Sequence, residues 1–537
     1  MTDDEKKPRN PRTPVRTALG ALSGALAGCT ALAVAELVSA WVRPQAGPVV
    51  AVGSAAIDRT PAAVKDWAIR NFGADDKLVL QLGILAVLAL CAMALGVVAL
   101  RYRRCGAGGV LLFGVVGAVA AVGRPDSEGL TDALPSVAGA VVGAALLHLL
   151  AGRLASGGPT PDGTAAGDGV SPGPYWDRRG FVIAASAAAV ASAGAGALGR
   201  ALNGSSGRDA LASRKDIVLP SPASPASPRP RGTQLRIPGV SPFITPNKDF
   251  YRVDTALVVP KVDATTWRLR LHGEGVARPV TLTFDDLLRR ELIERDITLT
   301  CVSNEVGGPY AGNARWIGVR LADLLAECGV LPPSKGGPAD QLVARSVDGM
   351  TLGTPVEDVM DGRDALLAVG MNGEPLPFTH GFPVRMVVPG LYGYVSACKW
   401  IEDIELTTFD AYDTYWVKRK WAREAPVKTQ SRIDTPKPFA RPEAGTVMVA
   451  GVAWAQHRGI DKVEIRVDDG PWQEARLAAE DSRDTWRQWS FPWQATKGGH
   501  TLTVRATDRT GAVQTDRRTR TIPDGASGRH SVVVTVE

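Results

Sequence analysis

Five long apolar runs within its first 200 residues constrain this 537-residue chain more than any other feature. Thr17–Val42 is broken only by Glu36 near its end, and Lys77–Leu100, Gly106–Gly123, Ala133–Leu150 and the Ala-rich Gly180–Leu198 follow. Each is about as long as the roughly 18–20 residues a helix needs to cross a hydrocarbon core. One such run could be a buried core helix. Five in succession, with hardly any charge inside, predict an all-α transmembrane bundle over residues 1–202. The mean hydropathy of the whole chain is close to zero. That average hides an Ala/Val/Leu/Gly-rich first part and a charged, tryptophan-bearing remainder.

The flanking charges set the direction of the bundle. With the N-terminus inside, the basic opening (Lys6, Lys7, Arg9, Arg12) falls inside, together with Arg101, Arg103, Arg104, Arg153, Arg178 and Arg179. The loop Arg124–Asp132, with Asp126, Glu128 and Asp132, falls outside, and the Val42–Asp76 loop is mixed. On the positive-inside pattern, five crossings predict a multi-pass protein of the cytoplasmic membrane whose C-terminal part lies on the outer side. Asp177-Arg178-Arg179-Gly180-Phe181, ahead of an apolar run, resembles a twin-arginine export signal set within the chain. Two ordinary inside-flanking arginines would give the same topology.

Residues 203–235 are Ser/Pro/Gly/Ala-rich around SPASPASPRPR, the composition of a semi-extended linker. Residues 236–440 read as an α+β domain of short strands, turns and few helices. One helix is signalled by Thr283 as N-cap with Asp285 and Asp286 in its first turn. Residues 441–537 alternate strand-like runs (VMVAGVAWA, KVEIRVDDG, WRQWSFPW, HTLTVRATD, HSVVVTV) between Gly/Asp turns, the pattern of an immunoglobulin-like β-sandwich.

Several function classes are excluded. The net charge of +6 comes without a long Lys/Arg run interleaved with aromatics, so nucleic acid is not an expected partner. The six cysteines form no CxxC or CxxCH, which argues against a zinc ribbon, an iron–sulfur cluster or covalent haem. Membrane b-haem needs paired histidines on the spans, where only His148 is found. No haem is therefore expected in the chain, and if the chain is an oxidoreductase its electrons would pass to a separate partner, either a cytochrome or a quinone-linked protein.

Ile297–Leu325 carries the chemistry. A β-branched run, Ile297–Val302, brings Cys301 to the edge of a polar, Gly-rich loop; the chain recovers at Trp316, and an amphipathic helix starts near Leu321. A lone Cys in an apolar strand is usually a small core residue. Its surroundings change that reading. Cys301-Val302-Ser303-Asn304, the motif Trp316–Leu321 and the segment Met371–Trp400 resemble, in this order, the molybdenum-binding segments of the sulfite oxidase family. The resemblance runs from about Pro246 to the C-terminus and does not explain the membrane region.

The resemblance implies a Mo-molybdopterin cofactor with Cys301 as metal ligand and catalytic residue. It implies cofactor contacts from Tyr251, Arg252, Asn304, His380, Arg385, Ser396 and Lys399. Arg252 and Arg315 are further catalytic candidates, Arg315 as a compensating cation. Cations suit a cofactor that ends in phosphate. Where the sulfite-oxidising branch has two arginines after the Asn, this chain has Glu305 and Val306; where that branch places a Tyr after a Trp, Trp416 is followed by Trp421. These departures weaken the case for a doubly charged anion and admit a neutral sulfoxide. Lys418, Arg419, Lys420 and Arg423 are other candidate compensating cations. The family also implies pairing into a homodimer through the sandwich, which carries Trp454, Trp472, Trp486, Trp489 and Trp493. The expected function is oxygen-atom transfer on a small sulfur-type substrate outside the cytoplasmic membrane. The rival is a non-catalytic surface protein with a degenerate molybdopterin domain and an adhesive sandwich.

Overall fold

The structure, a computed structural model, describes residues 12–60, 64, 76–155 and 178–537. The basic residues Lys6, Lys7 and Arg9, part of the mixed Val42–Asp76 loop, and Asp177 ahead of the arginine pair lie outside the described residues. The chain divides into two units, Met1–Arg208 with Ala256–Val258, and Asp209–Thr255 with Val259–Glu537.

The first unit is helical: Arg12–Val42, Pro48–Arg59, Asp76–Ala99, Arg103–Val122, Leu134–Ala155 and Arg178–Asp216, the last shared with the second unit. Five of these helices are long and apolar enough to cross a membrane. Small residues let them pack backbone to backbone. A Cβ on Gly24 would sit 1.9 Å from the Ala92 carbonyl oxygen, and one on Gly139 would sit 2.3 Å from that of Ala31. The loop charges pair among themselves: the Arg43 guanidinium donates to both oxygens of Asp132 at 3.0 and 2.5 Å.

The second unit begins with ten strands: β1 Arg268–Gly273, β2 Val280–Thr283, β3 Leu292–Thr300, β4 Ala311–Arg320, β5 Gln341–Ser346, β6 Thr351–Pro355, β7 Leu366–Met371, β8 Glu374–Pro375, β9 Arg385–Val387 and β10 Ile401–Thr407. They form one sheet in the order β2-β1-β10-β5-β6 and another in the order β3-β4-β7-β8, with β9 on β7. The short helix Phe284–Leu288 starts where its sequence signal lies, because Thr283 and Asp286 cap each other reciprocally. The helix Leu321–Glu327 follows β4 directly.

Eight strands follow: β11 Gln430–Thr435, β12 Gly445–Trp454, β13 Ile460–Val467, β14 Gln473–Glu474, β15 Arg476–Leu477, β16 Arg487–Ala495, β17 Gly498–Asp508 and β18 His530–Val536. Two four-stranded sheets, β11-β12-β16-β15 and β14-β13-β17-β18, enclose a core that includes Val449, Trp489, Val463, Leu502 and Val534.

Three expectations shift. The linker expected over residues 203–235 is helical as far as Asp216, since Ser, Gly and Ala residues there continue the preceding helix. Beyond it Ser224 bridges to Ile293, so the proline-rich stretch lies along β3. The C-terminal sheets begin at Gln430, ahead of the expected boundary at 441, because β11 pairs with β12. The tryptophans are mostly core residues. Trp489 and Trp493 fill the space between the two sheets, while Trp454 and Trp486 belong to the core of the preceding domain. Trp472 alone is half-buried, packed by the guanidiniums of Arg466, Arg505 and Arg529. Aromatic content is therefore no argument for a dimer interface.

β3 joins the two parts of this unit through its alternating faces. Ile297, Leu299 and Cys301 face one way, into the domain core. Asp296, Thr298 and Thr300 face the other. Thr298 Oγ1 accepts the Trp486 N–H at 2.7 Å, and the Gln456 amide donates to Thr298 O and Thr300 Oγ1 at 3.0 and 2.9 Å. The Trp486 indole donates to Phe243 O at 2.9 Å. Trp486→Ala removes a buried ring and one of the two donors to that carbonyl, the other being the Asn313 amide at 3.0 Å. Thermal or urea unfolding should register a loss of about 3–5 kcal/mol; a change below about 1 kcal/mol would refute the ring's role as a joint.

Candidate active site

Cys301 ends the buried face of β3. Its N–H donates to Tyr310 O and its carbonyl accepts the Asn304 N–H, both near 3 Å. Asn304 Oδ1 takes the Tyr310 N–H at 2.8 Å, so the loop 301–310 is clamped at its neck. The motif after the loop has a mechanical reading. Trp316 donates its indole N–H to Ile297 O at 3.1 Å and forms the floor of the site. Gly318 lets β4 approach β7, where a Cβ would lie 2.1 Å from Leu367 O.

Over that floor stands Arg385, 5 % exposed, with its guanidinium carbon 5.3 Å from the centre of the Trp316 ring. Among the described residues it reaches no carboxylate. Its one hydrogen bond, to His380 O, is 3.4 Å long, and its buried Nε has no partner. Burial lowers its pKa. Gly381 makes the approach possible: at φ +109°, a Cβ there would press at 3.1–3.2 Å on Lys399 and Arg385.

The neighbours are mostly cationic. Lys399 Nζ and Arg252 Nε share Asp254, at 2.9 and 3.0 Å. His380 Nε2 donates to Asn247 O at 2.9 Å, since a carbonyl only accepts. Burial first, then Arg385, holds the imidazole down at about 4. Phe250 ties the set together: its ring stacks on Tyr251 and meets Trp316 and His380 edge-on. Burial and the neighbouring Cys301 push the Tyr251 hydroxyl up, while Arg385 pulls it back. Burial also raises the Cys301 thiol, against hydrogen bonds from Ser303 and the charge of Lys399.

The structure thus brings Cys301, Tyr251, Arg252, His380, Arg385 and Lys399 into one cluster. Asn304 is adjacent, with its side chain committed to the loop. Ser396 is fully buried and its hydroxyl donates to Leu391 O and Tyr392 O, so it closes a turn. Arg315, expected as a catalytic residue, is not part of the cluster. It stands opposite Asp296 in the β3–β4 ladder and forms a two-point ion pair with it at 2.7 and 2.9 Å, on the face that Cys301 does not share. Of the other candidate cations, Arg419 lies on the Tyr415 ring, Lys418 on Tyr412 and Arg423 pairs with Asp410 and Asp413, while Lys420 is exposed. Trp316 joins the site from the motif it opens, whereas Asp254, Tyr310 and Asn247 join it without a signal of their own; for Asp254 the hint is its place two residues after Arg252.

Three cations against one carboxylate, with a buried guanidinium lacking a partner, fit an anionic group beside a thiol. Residues 256–416 match the family model described as the oxidoreductase molybdopterin binding domain. The chain is similar to the sulfite oxidase family of molybdenum-dependent oxidoreductases. Mitochondrial sulfite oxidase of Mus musculus is 32 % identical over 317 residues, covering 51 % of this chain and 58 % of that protein. The Homo sapiens enzyme is 31 % identical over 303 residues, covering 49 % and 55 %. Among solved structures, the sulfane dehydrogenase SoxCD of Paracoccus pantotrophus aligns at 26 % identity and a TM-score of 0.47, covering 55 % of this chain and 83 % of that one. The chain spans a little over half the length of the sulfite oxidases it matches.

Two outcomes follow from this family site. Arg385→Met keeps the bulk and removes the unpaired charge. It should leave cofactor-free protein unchanged or more stable by about 1–3 kcal/mol, while the molybdenum content of purified protein falls at least tenfold. Full molybdenum content in the variant would remove Arg385 from the cofactor site. The second outcome concerns acid. His380 and His530 are both held down at about 4, His530 by burial and Arg432. His530 Nδ1 accepts the Ile433 N–H and so needs the neutral ring. The unfolded chain binds these protons near pH 6.5 and the folded chain does not, so stability is lost as pH falls from 6.5 towards 4. Unfolding measured across that window should show the loss, and His530→Gln should reduce it.

Proposed function

We propose that this chain is a molybdopterin-dependent oxidoreductase performing oxygen-atom transfer on a small sulfur-type substrate, outside the cytoplasmic membrane. The observation that carries the reading is the excess of cations beside a buried thiol, above all Arg385 with no carboxylate of its own. A buried unpaired guanidinium is costly, and retaining one is expected at a functional site. A degenerate, non-catalytic domain has no need of that cost.

Cys301 would hold the metal as its thiolate, and Arg385, Lys399 and His380 would hold the anionic pterin. Once bound, the group supplies the oxo-transfer chemistry, and the protein supplies binding and orientation. Trp316 and Phe250 exclude water from the floor. Asp254 fixes Lys399 and Arg252 in place. The clamped loop 301–310 sets the position of the thiol.

The exposed Glu305 stands where a cation would favour a doubly charged anion, and of the candidate compensating cations Arg315 and Arg423 are paired with carboxylates of their own. A neutral sulfoxide therefore suits the site better than sulfite. Its reduction takes two electrons and two protons and yields a sulfide and water. Sulfite oxidation, the second reading, consumes water and releases two electrons and two protons with sulfate. Either direction needs a separate electron-transfer partner.

Both directions can be assayed on purified protein, a sulfoxide with a reduced dye and sulfite with an oxidised one. Cys301→Ser should lower the active rate at least a hundredfold and strip the thiolate-to-metal absorption, with the fold intact by circular dichroism. Near wild-type turnover by that variant would remove Cys301 from the metal. No turnover in either direction by molybdenum-loaded protein would refute the sulfur-type substrate.

A further inference from the structure

The helical unit holds a cleft of about 800 Å³ with a polar end. Glu36, Gln81 and Arg200 line it, together with apolar residues such as Leu26, Leu32 and Val49. Its volume is within the range of small-molecule sites. Glu36 lies six residues before the end of its helix at Val42, about 9 Å inside at 1.5 Å per residue. Ionisable groups at such depth are expensive and call for a partner.

The polar groups are unequally served. Glu36 Oε1 accepts from the Asn203 amide at 2.9 Å, which leaves its other carboxylate oxygen open. The side chains of Gln81 and Arg200 have no hydrogen bond or ion pair among the described residues. Two donors and one acceptor therefore line the same cleft with capacity unused. A second cavity of about 760 Å³, walled by apolar residues such as Leu88, Leu95 and Phe113, shares Cys29, Leu32, Pro48 and Leu85 with the first.

We propose that this pair of cavities binds an isoprenoid quinone or quinol, its ring in the polar cleft and its chain in the apolar one. One guanidinium and one carboxylate balance, so a neutral head is favoured. Arg200 and Gln81 can donate to a ring oxygen, and Glu36 can accept from a quinol hydroxyl. An anionic phospholipid phosphate would gain Arg200 but face Glu36. The mostly apolar walls beyond Leu85 suit a linear chain of methyl-branched isoprene units, with the Ser136 hydroxyl as a polar group among them. The proposal concerns binding by the helical unit and stands apart from the reaction at Cys301.

The experiment uses full-length protein in detergent, titrated with a short-chain naphthoquinone bearing an isoprenoid side chain and followed by equilibrium dialysis against protein-free micelles. Saturable binding near one per chain is expected, weakened at least tenfold by Arg200→Leu and by Glu36→Gln. Leu85→Trp, which fills the junction of the two cavities, should abolish it, with helix content unchanged by circular dichroism. Uptake that only follows micelle partition would overturn the proposal. So would saturable binding indifferent to all three variants, or a co-purifying phospholipid that the quinone cannot displace. Cys301→Ser should leave quinone binding unchanged, so failure of the oxygen-transfer reading and failure of this one are distinguishable.

Discussion

The site depends on the burial of one positive charge. Arg385 begins β9, within the sheet, and its guanidinium faces the Trp316 ring where a carboxylate would ordinarily stand. Cation–π attraction returns only about 1–2 kcal/mol even when desolvated, less than the several kcal/mol that burying an unpaired ion costs. The deficit is met by the rest of the domain, whose large core over-determines the position. Phe250 fixes the floor, Gly381 lets Lys399 and Arg385 close in, and Asp254 is shared by Lys399 and Arg252 while Arg385 has no ion pair with it. Ligand charge is what such an arrangement lacks.

The second constraint is the two-residue period of β3. Because side chains alternate, one strand presents Cys301 to the site and Asp296, Thr298 and Thr300 to the C-terminal sheets. A one-residue slip would exchange the thiol with Thr300 and dissolve both contacts together. The hydrogen bonds from Gln456 and Trp486 to this strand therefore do more than join two parts of the unit. They hold the register that presents the thiol.

Much of this was legible in the sequence, for identifiable reasons. The long apolar helices were visible because apolar length is a direct signal, and the helix at Phe284 because its capping box is local. The Cys301, His380 and Arg385 positions came from motif order. What failed was long-range pairing. Nothing local distinguishes Arg315 in a cross-strand ion pair from a cation facing a substrate; the β3–β4 register decides, and it places Arg315 opposite Asp296. Ser396 was misjudged for a similar reason, since a hydroxyl turned back to Leu391 and Tyr392 looks the same in sequence as one offered to phosphate. The tryptophans of the C-terminal region misled because aromatic content marks cores as readily as interfaces, and four of the five named are buried. The linker was read from composition, but composition alone does not end a helix that is already under way.

Charge balance carries the argument on to the substrate. Arg252, Arg385 and Lys399 against Asp254 leave a surplus of about two positive charges around the thiol, before any ligand arrives. On the proposed reading a bound anionic cofactor uses that surplus. Of the cations that might then serve a second anion, Arg315 is committed to Asp296 and Arg423 to Asp410 and Asp413, while Arg419 and Lys418 lie on tyrosine rings. An incoming dianion would meet a site near neutrality with Glu305 in the loop beside Cys301, whereas a neutral oxo-acceptor would meet no opposing charge. The same reasoning makes the departure from the two-arginine pattern after Asn304 intelligible as a change in the charge of the substrate, with the cofactor cradle left as it was.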